Sequence, residues 1–156
     1  MKKLHRNVAI GGVIVVILGL FVWGRMIDPA RTLIGLWKEN GVECLSQGHQ
    51  NLAQHIHQDL EIFVDDVPES VPADVGILPT CMAELHTHDV SGKIHVESVE
   101  AGKTFTLEQF LKMSGRSFDR EGYTADLYAN GVLSISGGKL VLEDTQKIVI
   151  NYRKQP

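Results

Sequence analysis

The sequence predicts a small α+β domain carried behind an apolar N-terminal segment. Three observations predict it. Polar and apolar residues alternate in "HIHQDLEIFV" and on both sides of "DVSG", the period of half-buried strands. A well-marked helix, "FTLEQFLKMSG", follows them. The C-terminal stretch then returns to strand-like alternation. At 156 residues the chain is long enough for one domain of ordinary size and a short appendage.

The appendage comes first. Eighteen uncharged residues, "NVAIGGVIVVILGLFVWG", lie between Arg6 and Arg25. As a helix they reach about 27 Å, just about the thickness of a hydrocarbon core of about 30 Å. Lys2, Lys3 and Arg6 precede them, which places the N-terminus in the cytoplasm and the rest of the chain beyond the membrane, on the periplasmic side. Trp23 falls at the outer interface. A cleaved signal peptide is the rival reading, but "WGRMIDPAR" offers no clear small-x-small cleavage site. Residues 1–25 are thus read as a cytoplasmic leader and transmembrane signal anchor.

Residues 26–48 read as a connector helix and loop. Asp28 can cap, Pro29 suits the first helical position, and Gly41 stops the helix. Leu33, Ile34, Leu36 and Trp37 give it an apolar stripe. Residues 49–156 form the extracytoplasmic domain. In 55–66, Ile56, Leu60, Ile62 and Val64 share one parity, and His55, His57, Asp59 and Glu61 the other. Asp65–Asp66 makes a turn, and Pro68, Pro72 and Pro79 confine the return to an edge strand or extended loop. Residues 84–97 form a second hairpin turning at "DVSG".

The helix beginning after Thr106 has a capping box with Gln109 and a staple of Phe105 against Phe110, and Gly115 ends it. Leu107, Phe110, Leu111 and Ser114 face inward, and Met113 is assigned to the core. Asn130–Gly131 is a hairpin turn. "KLVLEDTQKIVINYR" gives a strand, a turn and a final strand. The order of strand pair, strand pair, helix and strands resembles a β-grasp, a likeness of fold that carries no function.

Charge narrows the function classes. Lys2, Lys3 and Arg6 account for three of the 15 Lys and Arg, leaving 12 against all 19 Asp and Glu, so the exported part is near −7. That disfavours nucleic acid as a partner. Cys44 and Cys81 both lie in the exported part, where a disulfide is the default. With Cys81 left unpaired, its thiolate and the Met82 thioether would instead bring soft ligands toward the histidines and favour Cu(I).

The chemistry concentrates in "CMAELHTHDVSGKIHVES". Side chains at i and i+2 of a strand share a face, so His55 pairs with His57 and His86 with His88. A four-residue loop, Asp89 to Gly92, sets His86 against His95 and Glu84 against Glu97. A two-residue loop sets His88 against His95. Both put His86, His88, His95 and Glu97 on one face and leave Leu85, Ile94 and Val96 together on the other; a slip by one residue would split that apolar set. Three convergent neutral imidazoles suit zinc or copper. Glu97, Glu84 or Asp89 would ligate or orient a ring. His55 and His57 extend the site if their strand lies beside the hairpin, and strand order is not readable from sequence. The competing account is a polar network of His–carboxylate hydrogen bonds, or a pH-sensitive contact surface. His5 falls in the leader and His49 in a loop.

"HIHQDLEIFVDD", "VPADVGI", "CMAELHTHDVSGKIHVES" and "FTLEQFLKMSG" resemble a mostly uncharacterised bacterial and archaeal family, often carrying one N-terminal membrane anchor. Its pattern is roughly H-x-H, I-P-x-x-I-G-I, L-H-T-H-D-x-S-G-x-I-H-x-E and F-T-L-x-x-F, and the match covers about residues 55 to 115. By position the resemblance marks His55, His57, His86, His88, Asp89, His95 and Glu97. Val71 and Val75 stand where the pattern has isoleucine, and Asp66 where a turn glycine is common.

The expected function is a membrane-anchored extracytoplasmic protein binding copper or zinc, for storage, delivery or sensing. Two other classes stay open: an accessory subunit of a membrane protein complex with structural histidines, and a metal-dependent hydrolase or oxidase. No catalytic residue is assigned, since no serine has a G-x-S-x-G context and H-E-x-x-H is absent.

Overall fold

The computed structural model describes residues 29–45 and 47–156. The signal-anchor expectation and the Asp28 cap fall on residues 1–28, outside the described residues. Among the described residues no helix is long and apolar enough to cross a membrane. The chain divides into two compact units, Met1–Gly35 and Leu36–Pro156. Helix α1 (Pro29–Glu39) begins in the first unit and ends in the second, and all the described strands belong to the second.

Helix α1 begins at Pro29, as the fixed φ of proline allows at a first helical position. It ends in a glycine cap. Gly41 has φ 77°, its N–H donates to Lys38 O at 2.9 Å, and the Val42 N–H donates to Trp37 O at 2.9 Å. This 5→2 and 6→1 pair satisfies carbonyls the helix would otherwise leave free. Trp37 and Val42 are both buried, whereas Leu36 is exposed, so the expected apolar stripe divides between core and solvent.

The fold is α+β. A large sheet runs in the order β6 (Leu85–His86), β7 (Lys93–Ser98), β2 (Gln54–Val64), β10 (Gln146–Lys154), β8 (Tyr123–Ala129), β9 (Val132–Ser134). A further strand, β3 (Val67–Glu69), pairs with β2. The β2–β10 contact is parallel and the other pairings are antiparallel. A small sheet joins β1 (Cys44–Leu45), β5 (Cys81–Ala83) and β4 (Ile77–Leu78).

Strand β2 is long enough to take two partners along one edge. Gln54 to Asp59 pair with β7, and Ile62 to Val64 pair with β3. Gly92 marks the junction: Leu60 N–H donates to its carbonyl at 2.9 Å, and its φ is 83°. A Cβ there would collide with the Leu60 carbonyl oxygen, so the chain passes β2 at this point only as glycine.

The expected turns form. Asp65–Asp66 and Asn130–Gly131 each hold two positive φ angles, as a two-residue hairpin with the right twist requires. Prolines do confine the return after Asp66 to the three-residue β3. Residues 139–142 differ from expectation. They form a short 3-10 turn (Gly137–Lys139) and a single bridge, Thr106 to Val141, rather than a strand. Leu140 and Leu142 are buried, and their backbone pairs with the start of helix α2 (Leu107–Met113) instead of with a strand: Leu107 N–H donates to Leu140 O and Leu142 N–H to Phe105 O.

The capping box on α2 is present, with Thr106 and Gln109 bonded reciprocally. The Gln109 side chain also donates to Asn40 O at 2.8 Å, and Asn40 donates back to Gln109 O at 2.9 Å, which ties α2 to the end of α1. Phe105, Leu107, Phe110 and Leu111 are buried. So are Leu60, Ile62, Leu85, Ile94, Val96, Leu127, Ile148 and Ile150 from the large sheet. Leu85, Ile94 and Val96 thus reach the core together, as the expected hairpin register requires. A buried apolar set on one face of β6, β7 and β2 leaves the other face to polar side chains.

Candidate metal centre

The histidines meet because β7 lies between β6 and β2. His95 is in register with His86 on one side and His57 on the other, and Glu97 is in register with His55. The 86–95 pairing is the register of the four-residue loop. Facing residues of adjacent strands stand about 4.5–5.5 Å apart. Ring centroids follow suit: 5.1 Å for His86–His95, 4.5 Å for His57–His95, 4.8 Å for His86–His88, 4.7 Å for His88–His95 and 4.7 Å for His55–His57. Strand order, which the sequence did not carry, brings both H-x-H pairs to one surface.

Two sets of three rings have a donor atom each within 4.8 Å of the others: His86, His88 and His95, and His55, His57 and His95. Ligands 2.0–2.1 Å from one ion lie about 3.4 Å apart in a tetrahedral site. Closing that gap takes ring shifts of about 1 Å; His88 is exposed and has room to supply them, and His55, also exposed, would give up its contact with Glu97 to do so.

His86 is the fixed point. It is wholly buried, and its Nδ1–H donates to Ala83 O at 2.9 Å. That bond sets the tautomer and leaves the Nε2 lone pair for another partner, the arrangement typical of a metal-bound imidazole. Nε2 is buried with no hydrogen-bond partner, as is Nδ1 of His95. Burial lowers the His86 pKa to about 3, against the pull of the Ala83 bond and with help from His88, His95 and His49. Burial, then His57, His88, His55 and Lys93, lowers that of His95 to about 4. Both rings are neutral at pH 7, the state that ligates.

Glu97 is also wholly buried. Its oxygens accept from His49 Nδ1 at 2.8 and 2.9 Å and sit 3.1 Å from His55 Nε2 and 3.9 Å from His86 Nε2. Of Glu84, Asp89 and Glu97, the three acidic residues expected near the rings, Glu97 is the one whose carboxylate lies within hydrogen-bond distance of ring nitrogens. Glu84 faces other partners: Lys103 Nζ at 2.6 Å, Ser98 Oγ at 2.8 Å and the Glu43 N–H at 2.9 Å. Asp89 is exposed and accepts from the Ser91 N–H at 2.9 Å; the Ser91 bonds hold its carboxyl below the usual range, with smaller help from His88 and His95.

The soft-ligand alternative loses its thiolate. Cys44 and Cys81 form a disulfide, with Cα atoms 5.4 Å apart and a separation of 37 residues. Met82 lies in the small sheet, in register with Leu45 and Ile77. Sequence reasoning missed His49. Its ring is 5.9 Å from that of His88, 6.1 Å from His86 and 6.4 Å from His55. The loop before β2 must lie beside the end of β7, since Gln54 pairs with Ser98, but that register is a tertiary fact.

A cavity of about 650 Å³ lies elsewhere, lined by Ile62, Glu69, Leu111, Arg116, Arg120 and Tyr152, and none of the histidines lines it. Among the described residues, the histidine groupings could hold a metal ion, and the two cysteines form a disulfide. No family model, no curated protein and no solved structure matches this chain.

Proposed function

We propose that this protein is a membrane-anchored, extracytoplasmic metal-binding protein that holds copper or zinc through His86, His88 and His95, with His55 and His57 beside them. Storage, delivery or sensing of the ion near the membrane is its role. The observation that carries this reading is His86 Nε2: a buried lone pair, on a ring held in one tautomer, with no hydrogen-bond partner among the described residues. An imidazole-only donor set suits Zn(II) and copper. The disulfide supports an oxidising compartment. The uncharged N-terminal segment supports the anchor, and the L-H-T-H-D pattern supports the family resemblance. The parallel β2–β10 pairing favours the β-grasp likeness.

Metal analysis of the purified protein, followed by titration with Zn(II), Cu(II) and Cu(I), tests the reading. About one equivalent should bind at neutral pH, and His95→Ala, which removes the ring common to both sets of three, should weaken binding by about 100-fold or more, above the 10–100-fold of an outer-shell change. Absence of stoichiometric binding, or an unaffected His95→Ala, sinks it. One observation favours a second reading. Glu97 joins His49 and His55 as a polar network would, and in that case the protein is an accessory subunit with structural histidines. Co-purification of an intact membrane complex that survives removal of metal would support that account.

A further inference from the structure

Among the described residues the rings form two triads, and His95 belongs to both. The register is the cause: His86 flanks His95 on the β6 side and His57 on the β2 side. Neighbouring strands lie about 4.8 Å apart, so the two triad centres are separated by roughly 5 Å. Two divalent ions that close repel, and paired-metal sites offset this with bridging anions. Among the described residues the carboxylate that reaches the rings is Glu97, and its single charge offsets one unit at most. The charge balance therefore favours one ion in the cluster.

Resting on the metal-binding reading above, we propose that the cluster is a two-position transfer site for a single copper or zinc ion. An outer position is formed by His55, His57 and His95, and an inner position by His86, His88 and His95. The ion passes between them by exchanging His55 and His57 for His88 and His86 while His95 stays bound. Each step breaks one metal–nitrogen bond and forms another. Neutral imidazole replaces neutral imidazole, so no electron moves and no charge has to be carried along.

Exposure gives the path a direction. Each triad has one exposed ring, His55 or His88, and shares the half-buried His95; depth is set by the third ring, the half-buried His57 in the outer triad and the wholly buried His86 in the inner. His49, within 6.4 Å ring to ring of His55 and 6.1 Å of His86, sits beside both positions. A protein that receives an ion at its surface and holds it more deeply needs such overlapping sites. A shared ligand spares the ion a stage with no protein donor.

The test is a titration of the full chain with Co(II), read by its visible spectrum, and with Zn(II) in competition. The wild type should bind one ion. His57→Ala and His88→Ala should each still bind one, weakened less than about tenfold, with distinct Co(II) spectra, since each leaves one triad whole. The double variant and His95→Ala should both lose about 100-fold or more, beyond the 10–100-fold of an outer-shell change. His95→Gln, checked by circular dichroism, separates this loss from misfolding. Two bound ions in the wild type, or a His88→Ala as damaging as His95→Ala, overturns the two-position site and leaves metal binding standing. A wild type that binds nothing overturns both.

Discussion

At the scale of the residue, His86 and His95 make acid a specific threat to the metal-free protein. Both are neutral in the fold with pKa values lowered to about 3 and about 4 from 6.5. A histidine whose folded pKa is depressed stabilises above its unfolded pKa, and that stability is lost as pH falls toward the folded value. The window here runs from about 6.5 down to about 3. For the buried His86, the 1.5 units between 6.5 and pH 5 correspond to about 2 kcal/mol lost by pH 5 relative to pH 8. Denaturant titrations at the two pH values would read it, and His86→Ala, though less stable overall, should show a shallower pH slope. An unchanged slope would mean that His86 titrates as an exposed ring. Glu97 offers a second residue-scale prediction. Glu97→Gln keeps the shape but removes the charge facing His49, His55 and His86. Metal affinity should fall about 10–100-fold with the fold retained. An equal affinity would make Glu97 structural only. These two residues also show what the sequence could hold. The parity of His86, His95 and Glu97 was legible, because Leu85, Ile94 and Val96 had to be buried together. The partner of each polar atom was not: nothing in the chain order says that Glu84 meets Lys103 while Glu97 meets His49.

At the scale of the element, the hairpin that carries His88 and His95 depends on Gly92. Its positive φ and its contact with the Leu60 backbone let β7 enter alongside β2 where β3 leaves off. Ala at this position strains a left-handed backbone and forces the two strands apart, which costs more than the ordinary 1 kcal/mol or so of a glycine replacement. Gly92→Ala should therefore lower the melting temperature and weaken metal binding together, because it shifts His95 against His57. A variant that loses stability but binds normally would place the strain outside the site. Gly102→Ala is the control: its φ is 74°, yet nothing lies within 4 Å of the added carbon. The helix and the two tight turns were legible in advance, since capping boxes and paired positive-φ residues are local chemistry. Residues 139–142 were not. Their alternation reads as a strand, but Leu140 and Leu142 are buried while their backbone joins the start of α2, a choice made by tertiary packing.

For the folded unit as a whole, the disulfide joins two strands of the small sheet, β1 and β5, just before the chain enters the histidine face at β6. Strand order was the part of the fold that sequence withheld, and it decides whether five histidines meet or two separate pairs form. The register of the hairpin, by contrast, followed from burial. Once β7 lies between β6 and β2, the orientation of His86 depends on Ala83, whose carbonyl accepts from Nδ1. Ala83 is in register with Cys44, and Cys44 is bonded to Cys81 two residues before it. The pair closes a 37-residue separation, worth roughly 3–4 kcal/mol in the chain-entropy model. Two backbone-linked contacts run in parallel, Glu84 N–H to Glu43 O and Glu43 N–H to the Glu84 side chain. The β1–β5 pairing should therefore survive locally while the fold weakens. Replacing both cysteines with serine should lower unfolding free energy by about that amount, and should reduce metal affinity by about tenfold, the lower end of an outer-shell effect, because the carbonyl that orients His86 gains freedom. Denaturant unfolding and a Zn(II) titration of the same preparation separate the two. If stability falls and affinity does not, the disulfide serves the fold alone. If both fall together, and the same loss follows chemical reduction of the wild type, then the redox state of the compartment sets how tightly the ion is held.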